Sequence, residues 1–150
     1  MELNIGNQAP IFEAKDQAGN IVKLSNFQGK KVILYFYPQD DTETCTIQAC
    51  NLRDNYHSVE TAGYTILGVS PDDECSHLKF IQKYNLPFTL IADIDKTLHE
   101  LYGVWQEKQM FGRKYMGTIR TTFIIDEAGK ITDIIRKVKS KEHTKQILKS

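Results

Sequence analysis

The apolar positions of this chain fall into short runs separated by stretches of helical spacing. The strongest run, residues 31–37, is β-branched and aromatic and apolar throughout its interior. A strand buried on both faces reads this way, because none of its positions has to meet water. Pro38 ends it. Tyr64–Ser70 and Thr89–Ala92 are two more apolar strands. Residues 12–15 and 21–24 flank Asp16, Gln17, Ala18, Gly19 and Asn20, which read as a hairpin loop with Gly19 supplying a positive φ. A second hairpin is predicted from strands at 121–126 and 131–138 around a turn at 127–130. Helices are predicted at 43–62, 74–84 and 96–102, and a last one at 141–149 with Ser140 as its N-cap.

Strand, helix, strand, helix, strand, then an antiparallel hairpin and a final helix is a mixed-sheet α/β order. A thioredoxin-like fold fits it: a central mixed β-sheet flanked by helices on both faces, with an N-terminal β-hairpin. Periodicity alone also allows a flavodoxin-like sheet.

Composition narrows the function classes. The 150 residues are 41% hydrophobic and 25% charged, as in an ordinary globular domain. No stretch reads as a linker, so residues 1–150 are expected to form a single domain. Nineteen basic residues balance nineteen acidic ones, which argues against nucleic acid or an anionic membrane as a partner. The basic tail at 136–149 reads as the solvated face of a terminal helix. No basic region precedes an apolar run at the N-terminus, so no leader is expected. The longest apolar run falls far short of the ~20 residues that cross a bilayer. The cysteines, Cys45, Cys50 and Cys75, are few and odd in number. That argues for thiols kept reduced in the cytoplasm rather than a disulfide framework.

Chemistry concentrates just after the most buried strand, where α/β sheets bind ligands. Cys45, Ala49, Leu52, Tyr56 and Val59 recur at steps of four and three, which puts Cys45 on the inward stripe of a helix. With Thr42 as N-cap, Cys45 lies in the first turn. Unpaired N–H groups and the partial positive charge there favour thiolate over thiol, and the thiolate is the nucleophile. A cysteine in this place can equally be a small apolar filler. Cys50 lies five residues on. In an ideal helix the two Cα atoms would be ~8.7 Å apart, against the roughly 4.4–6.8 Å that a disulfide spans. A bond between them requires the turn to unwind, so two conformations are expected, one per redox state.

Pro38, Thr42 and Cys45, at that spacing, resemble the active-site motif of peroxiredoxins, and the offset to Cys50 resembles the bacterioferritin comigratory protein, or peroxiredoxin Q, branch. The likeness extends along the chain: Ala9, Pro10 and Phe12, then Leu52, Arg53 and Asp54, then 68–72, 83–88, 102–105, 112–117 and 120–126. The resemblance implies a thiol-dependent peroxidase that reduces hydrogen peroxide and organic hydroperoxides. Cys45 would be the peroxidatic thiolate, oxidised to a sulfenic acid. Thr42 would hydrogen-bond the thiolate and the peroxide, and Pro38 would shield the pocket. Arg120 would lend its charge to the thiolate and the leaving oxygen. Cys50 would condense with the sulfenic acid to an intrasubunit disulfide, which a thioredoxin-type dithiol would reduce. An intrasubunit resolving cysteine needs no second subunit, so a monomer is expected.

Two departures stand out. Glu43 and Thr44 replace the branch's usual Pro-Gly, and Gln48 replaces its usual Glu. Gln48 can accept a hydrogen bond from Arg120 but cannot neutralise it. Cys75 reads as a packing or incidental residue. His57, His77, His99 and His143 show no ligand spacing on one helix face, so no metal is expected. No phosphate loop or dinucleotide fingerprint is present, so no bound cofactor is expected. The rival classes are a non-catalytic thioredoxin-like binding domain and a general disulfide exchanger.

Overall fold

The 31–37 run becomes the spine of the molecule. In a computed structural model that describes residues 2–149, the chain order is β1 (Glu13–Asp16), β2 (Ile21–Lys23), β3 (Lys31–Phe36), α1 (Glu43–Asp54), α2 (Tyr56–Thr61), β4 (Tyr64–Ser70), α3 (Glu74–Tyr84) and β5 (Thr89–Ala92). It continues with α4 (Thr97–Leu101), β6 (Trp105–Met110), β7 (Arg113–Thr118), β8 (Thr121–Ile125), β9 (Ile131–Ile135) and α5 (His143–Leu148). Met1 and Ser150, the ends of the expected 1–150 domain, lie outside the described residues.

Seven strands form one mixed sheet in the order β2-β1-β5-β4-β3-β8-β9. β4 pairs parallel to β3 and to β5, and the other pairings are antiparallel. The pleat sends alternate residues of β3 to opposite faces. Val32, Leu34 and Phe36 pack with Leu98 and Tyr102 at α4. Ile33, Tyr35 and Tyr37 pack with Cys45, Ala49 and Leu52 of α1, Val59 of α2, Phe80 of α3 and Ile147 of α5. The thioredoxin-like reading, with helices on both faces, holds. Gly68 in β4 has a specific purpose: a Cβ there would sit 3.0 Å from the Tyr35 ring and 2.7 Å from Leu90. Among the described residues, no helix is long and apolar enough to cross a membrane.

Four expectations need correction. The helix at 43–62 breaks at Asn55 (φ −112°, ψ 15°), whose side-chain amide donates to the Asn51 carbonyl and competes with the helical ladder. The strand at 131–138 stops at Ile135, because it pairs with Thr122 and β8 ends one residue beyond, at Thr121. The last helix opens with a 3-10 turn at Ser140–Glu142, and Ser140 does not cap it; the Gln146 side chain instead accepts the Lys139 N–H at 2.9 Å. The hairpin β6–β7 was not predicted at all. It is exposed along most of both strands, so it lacks the apolar alternation that marks a strand. Its turn has Phe111 and Gly112 at positive φ (52° and 77°), as a two-residue hairpin turn demands.

Candidate active site

The loop from Pro38 to Thr42 carries the chain from the end of β3 to the start of α1, and neighbouring elements hold it. Tyr37 donates its hydroxyl to Asp40 Oδ1 at 2.6 Å, and Asp40 Oδ2 lies 2.7 Å from His77 Nδ1 and accepts from the Ser76 hydroxyl. The Asp40 N–H donates to Asp72. Asp41 takes a left-handed φ of 58° and binds Lys83 and the Tyr84 hydroxyl, both at 2.8 Å. Further along, Arg53 donates to the Tyr84 carbonyl. α1 is thus tied to α3 at both ends.

This clamp fixes the helix N-terminus beneath Cys45. Thr42 is the N-cap residue, but no side chain caps the turn; its hydroxyl donates to the Gln39 carbonyl at 3.0 Å. The first N–H groups of α1 therefore keep their positive end toward the thiol. Cys45 is 2% exposed, while Pro38, Thr42 and Arg120 are each partly exposed. Arg120 enters from just before β8, with Nη2 3.3 Å from Cys45 Sγ and Nη1 2.5 Å from Gln48 Oε1. The Gln48 departure does what the sequence allows: it accepts from Arg120 without neutralising it.

Tyr35 lies on the inner floor, stacked on Tyr37 with ring centroids 5.4 Å apart. Its hydroxyl is buried without a hydrogen-bond partner. Burial, then the nearby Cys45 and Asp40, push its proton affinity up, so it stays a neutral phenol. Cys50 sits in the unbroken middle of α1, partly buried, and all three cysteines are free thiols. Cys75 is exposed, which corrects the packing option. The inward residues of α3 are His77 and Phe80, with Ile81 and Tyr84 against the same core.

Sequence reasoning missed the histidines. His77 reaches Asp40, His143 reaches Gln48 and Thr122, and His99 reaches Asp93 and Thr118. Each pairing crosses elements or turns, so no local spacing announces it. Asp40, Asp72 and His77 are the group among the described residues whose donor atoms converge within 4.8 Å. Those atoms are already engaged, Asp40 with His77, Tyr37 and Ser76, and Asp72 with the Ser70 hydroxyl and the Asp40 backbone N–H, so the group reads as a structural clamp.

A helix-N-terminal cysteine under an arginine, on a thioredoxin-like sheet, is an arrangement that favours a nucleophilic thiolate. Residues 5–134 match the AhpC/TSA family. Peroxiredoxin Bcp of Bacillus subtilis is 45% identical over 150 residues, covering 100% of this chain and 96% of that protein. A cysteine-to-serine mutant of Xylella fastidiosa PrxQ superposes with a TM-score of 0.92 at 28% identity, covering 99% of this chain and 95% of that one. Xanthomonas campestris bacterioferritin comigratory protein, studied for alkyl peroxide reduction, superposes at 0.86 with 31% identity over 92% of this chain and 88% of its own. The chain belongs to the AhpC/TSA family, in its bacterioferritin comigratory protein, or peroxiredoxin Q, branch.

Proposed function

We propose that Cys45 is the peroxidatic residue of a thiol peroxidase that works as a single-domain monomer in the cytoplasm. The observation that carries this reading is the Arg120 guanidinium, 3.3 Å from Cys45 Sγ at the first turn of α1. Two positive sources meet at one sulfur, and both grow in value as negative charge spreads to the departing oxygen.

The thiolate attacks the nearer peroxide oxygen. The O–O bond breaks, the leaving oxygen takes a proton and departs as water or alcohol, and Cys45 becomes a sulfenic acid. Thr42 donates to Gln39 but keeps oxygen lone pairs that accept from the peroxide O–H. Pro38 walls the entry. Cys50 then displaces water from the sulfenic acid to form an intrasubunit disulfide, and a thioredoxin-type dithiol returns both thiols by exchange. The alkyl peroxide activity studied in the Xanthomonas relative supports organic hydroperoxides beside hydrogen peroxide as substrates. No bound cofactor enters the cycle.

Cys45→Ser is expected to abolish thioredoxin-coupled peroxide consumption, and retained turnover would sink the assignment. Cys50→Ser is expected to complete one turnover and accumulate a sulfenic acid that a carbon nucleophile traps. Normal cycling of that variant with thioredoxin would remove Cys50 from the resolving role.

A further inference from the structure

Asn51, one turn along α1 from Gln48, anchors the start of α5. Its Oδ1 accepts from the Thr144 N–H and hydroxyl, both at 2.8 Å, and its Nδ2 donates to the Lys141 carbonyl at 2.9 Å. This clasp seats His143 behind the site, where it is wholly buried and edge-on to Tyr35 at 5.6 Å between ring centroids. Both ring nitrogens are engaged: Nδ1 lies 3.3 Å from Gln48 Nε2, and Nε2 lies 2.8 Å from Thr122 Oγ1.

Donor chemistry fixes the direction of every bond. A guanidinium only donates, so the oxygen of Gln48 faces Arg120 and its amide nitrogen faces His143. That nitrogen also only donates. His143 Nδ1 is therefore bare, and the ring proton sits on Nε2, aimed at Thr122. An imidazolium would set N–H against N–H and turn the carboxamide around. Burial, then the charge of Arg120, push the His143 pKa down to about 3, which keeps the ring neutral.

We propose that His143 is a positioning residue for the peroxidatic site: its bare Nδ1 fixes the Gln48 carboxamide with the carbonyl toward Arg120, and so holds the guanidinium on Cys45 Sγ. The chain Thr122–His143–Gln48–Arg120–Cys45 runs from β8 and α5 to the sulfur. It orients the arginine with neutral groups only, so the full positive charge stays available to the thiolate. The inference rests on Arg120 acting on Cys45 as described above.

The test begins with nitrogen-15 NMR of the reduced protein at pH 7. The expected result is a His143 ring protonated at Nε2 alone; an Nδ1–H tautomer or an imidazolium overturns the proposal. Next come His143→Leu and His143→Asn, the second placing an amide oxygen where Nδ1 stood. They are read in a background with serine at positions 50 and 75, so that Cys45 alone reports. His143→Leu should shift the pH midpoint of iodoacetamide alkylation upward and slow the first oxidation by hydrogen peroxide roughly tenfold, the scale of one lost hydrogen bond to a charged group. His143→Asn should recover most of both effects. An unchanged midpoint with equal rates in the two variants overturns the proposal. Should His143→Leu not fold, the wild-type tautomer decides. Alkylation needs no peroxide, so a protein inert to peroxide that still shows the midpoint shift would refute the peroxidase chemistry and leave the positioning intact.

Discussion

His77 and His143 are both wholly buried, both pack against the Tyr35–Tyr37 side of the sheet, and their surroundings shift their proton affinities in opposite directions. For His77, burial alone lowers the proton affinity. The hydrogen bond and charge of Asp40, helped by the Ile91 carbonyl and Asp72, outweigh it, and the net shift from 6.5 is upward. For His143, burial and the Arg120 charge act in the same direction, down to about 3. Burial is common to both, so the partner decides: a carboxylate beside one ring favours its charged form, and a guanidinium near the other keeps it a neutral acceptor. The Asp40–His77 pair grips the loop before α1, while Gln48 and His143 set only neutral groups behind Arg120.

The pH dependences have opposite signs. The contribution of His77, whose folded pKa is raised, is complete below 6.5 and is lost as pH climbs through the folded value. His143 costs nothing above 6.5, but between 6.5 and about 3 the unfolded chain takes up a proton that the folded one refuses, so stability falls with acid.

Breaking the charged member should have the largest effect. Asp40→Asn breaks the buried Asp40–His77 pair and is expected to cost about 3–5 kcal/mol in urea unfolding at pH 6. The cost should shrink as pH rises through the raised His77 value, where the wild type itself loses the pair; a pH-independent cost would contradict the comparison. Converting the neutral member should come next. Gln48→Glu places a carboxylate against His143 Nδ1, and NMR titration should find the His143 pKa raised by roughly 1–3 units. An unmoved value would show that the partner does not set it. Lys83→Ala, which removes an exposed ion pair from Asp41, should barely move the urea midpoint, because solvent and salt screen such pairs. Cys75→Ser should change neither stability nor turnover, since this exposed thiol lies outside the site.

The parts of this account visible in the sequence are those that local physics dictates. β3 announced itself because a strand covered on both faces has no polar position. Cys45 was legible from the stripe it shares with Ala49 and Leu52 and from its place one turn after Thr42. β6 and β7 were not, because a hairpin with few buried residues leaves no periodic trace. The Asp40–His77 and Gln48–His143 pairs join residues 37 and 95 positions apart, and only the fold brings them together. The one local hint was that His143 and Ile147, four residues apart, share the inward side of α5. The intact α1 that carries both Cys45 and Cys50 matches the helix read from the sequence, and an ideal helix holds the two ~8.7 Å apart, beyond disulfide reach, so the expected unwinding is still to be tested.

The most direct test of the central claim is therefore peptide mapping by mass spectrometry after the reduced protein meets one equivalent of hydrogen peroxide. The account predicts a single link between Cys45 and Cys50, formed within one chain, with Cys75 still a thiol. A link from Cys45 to Cys75, or an oxidised Cys45 beside a persistently reduced Cys50, would contradict it.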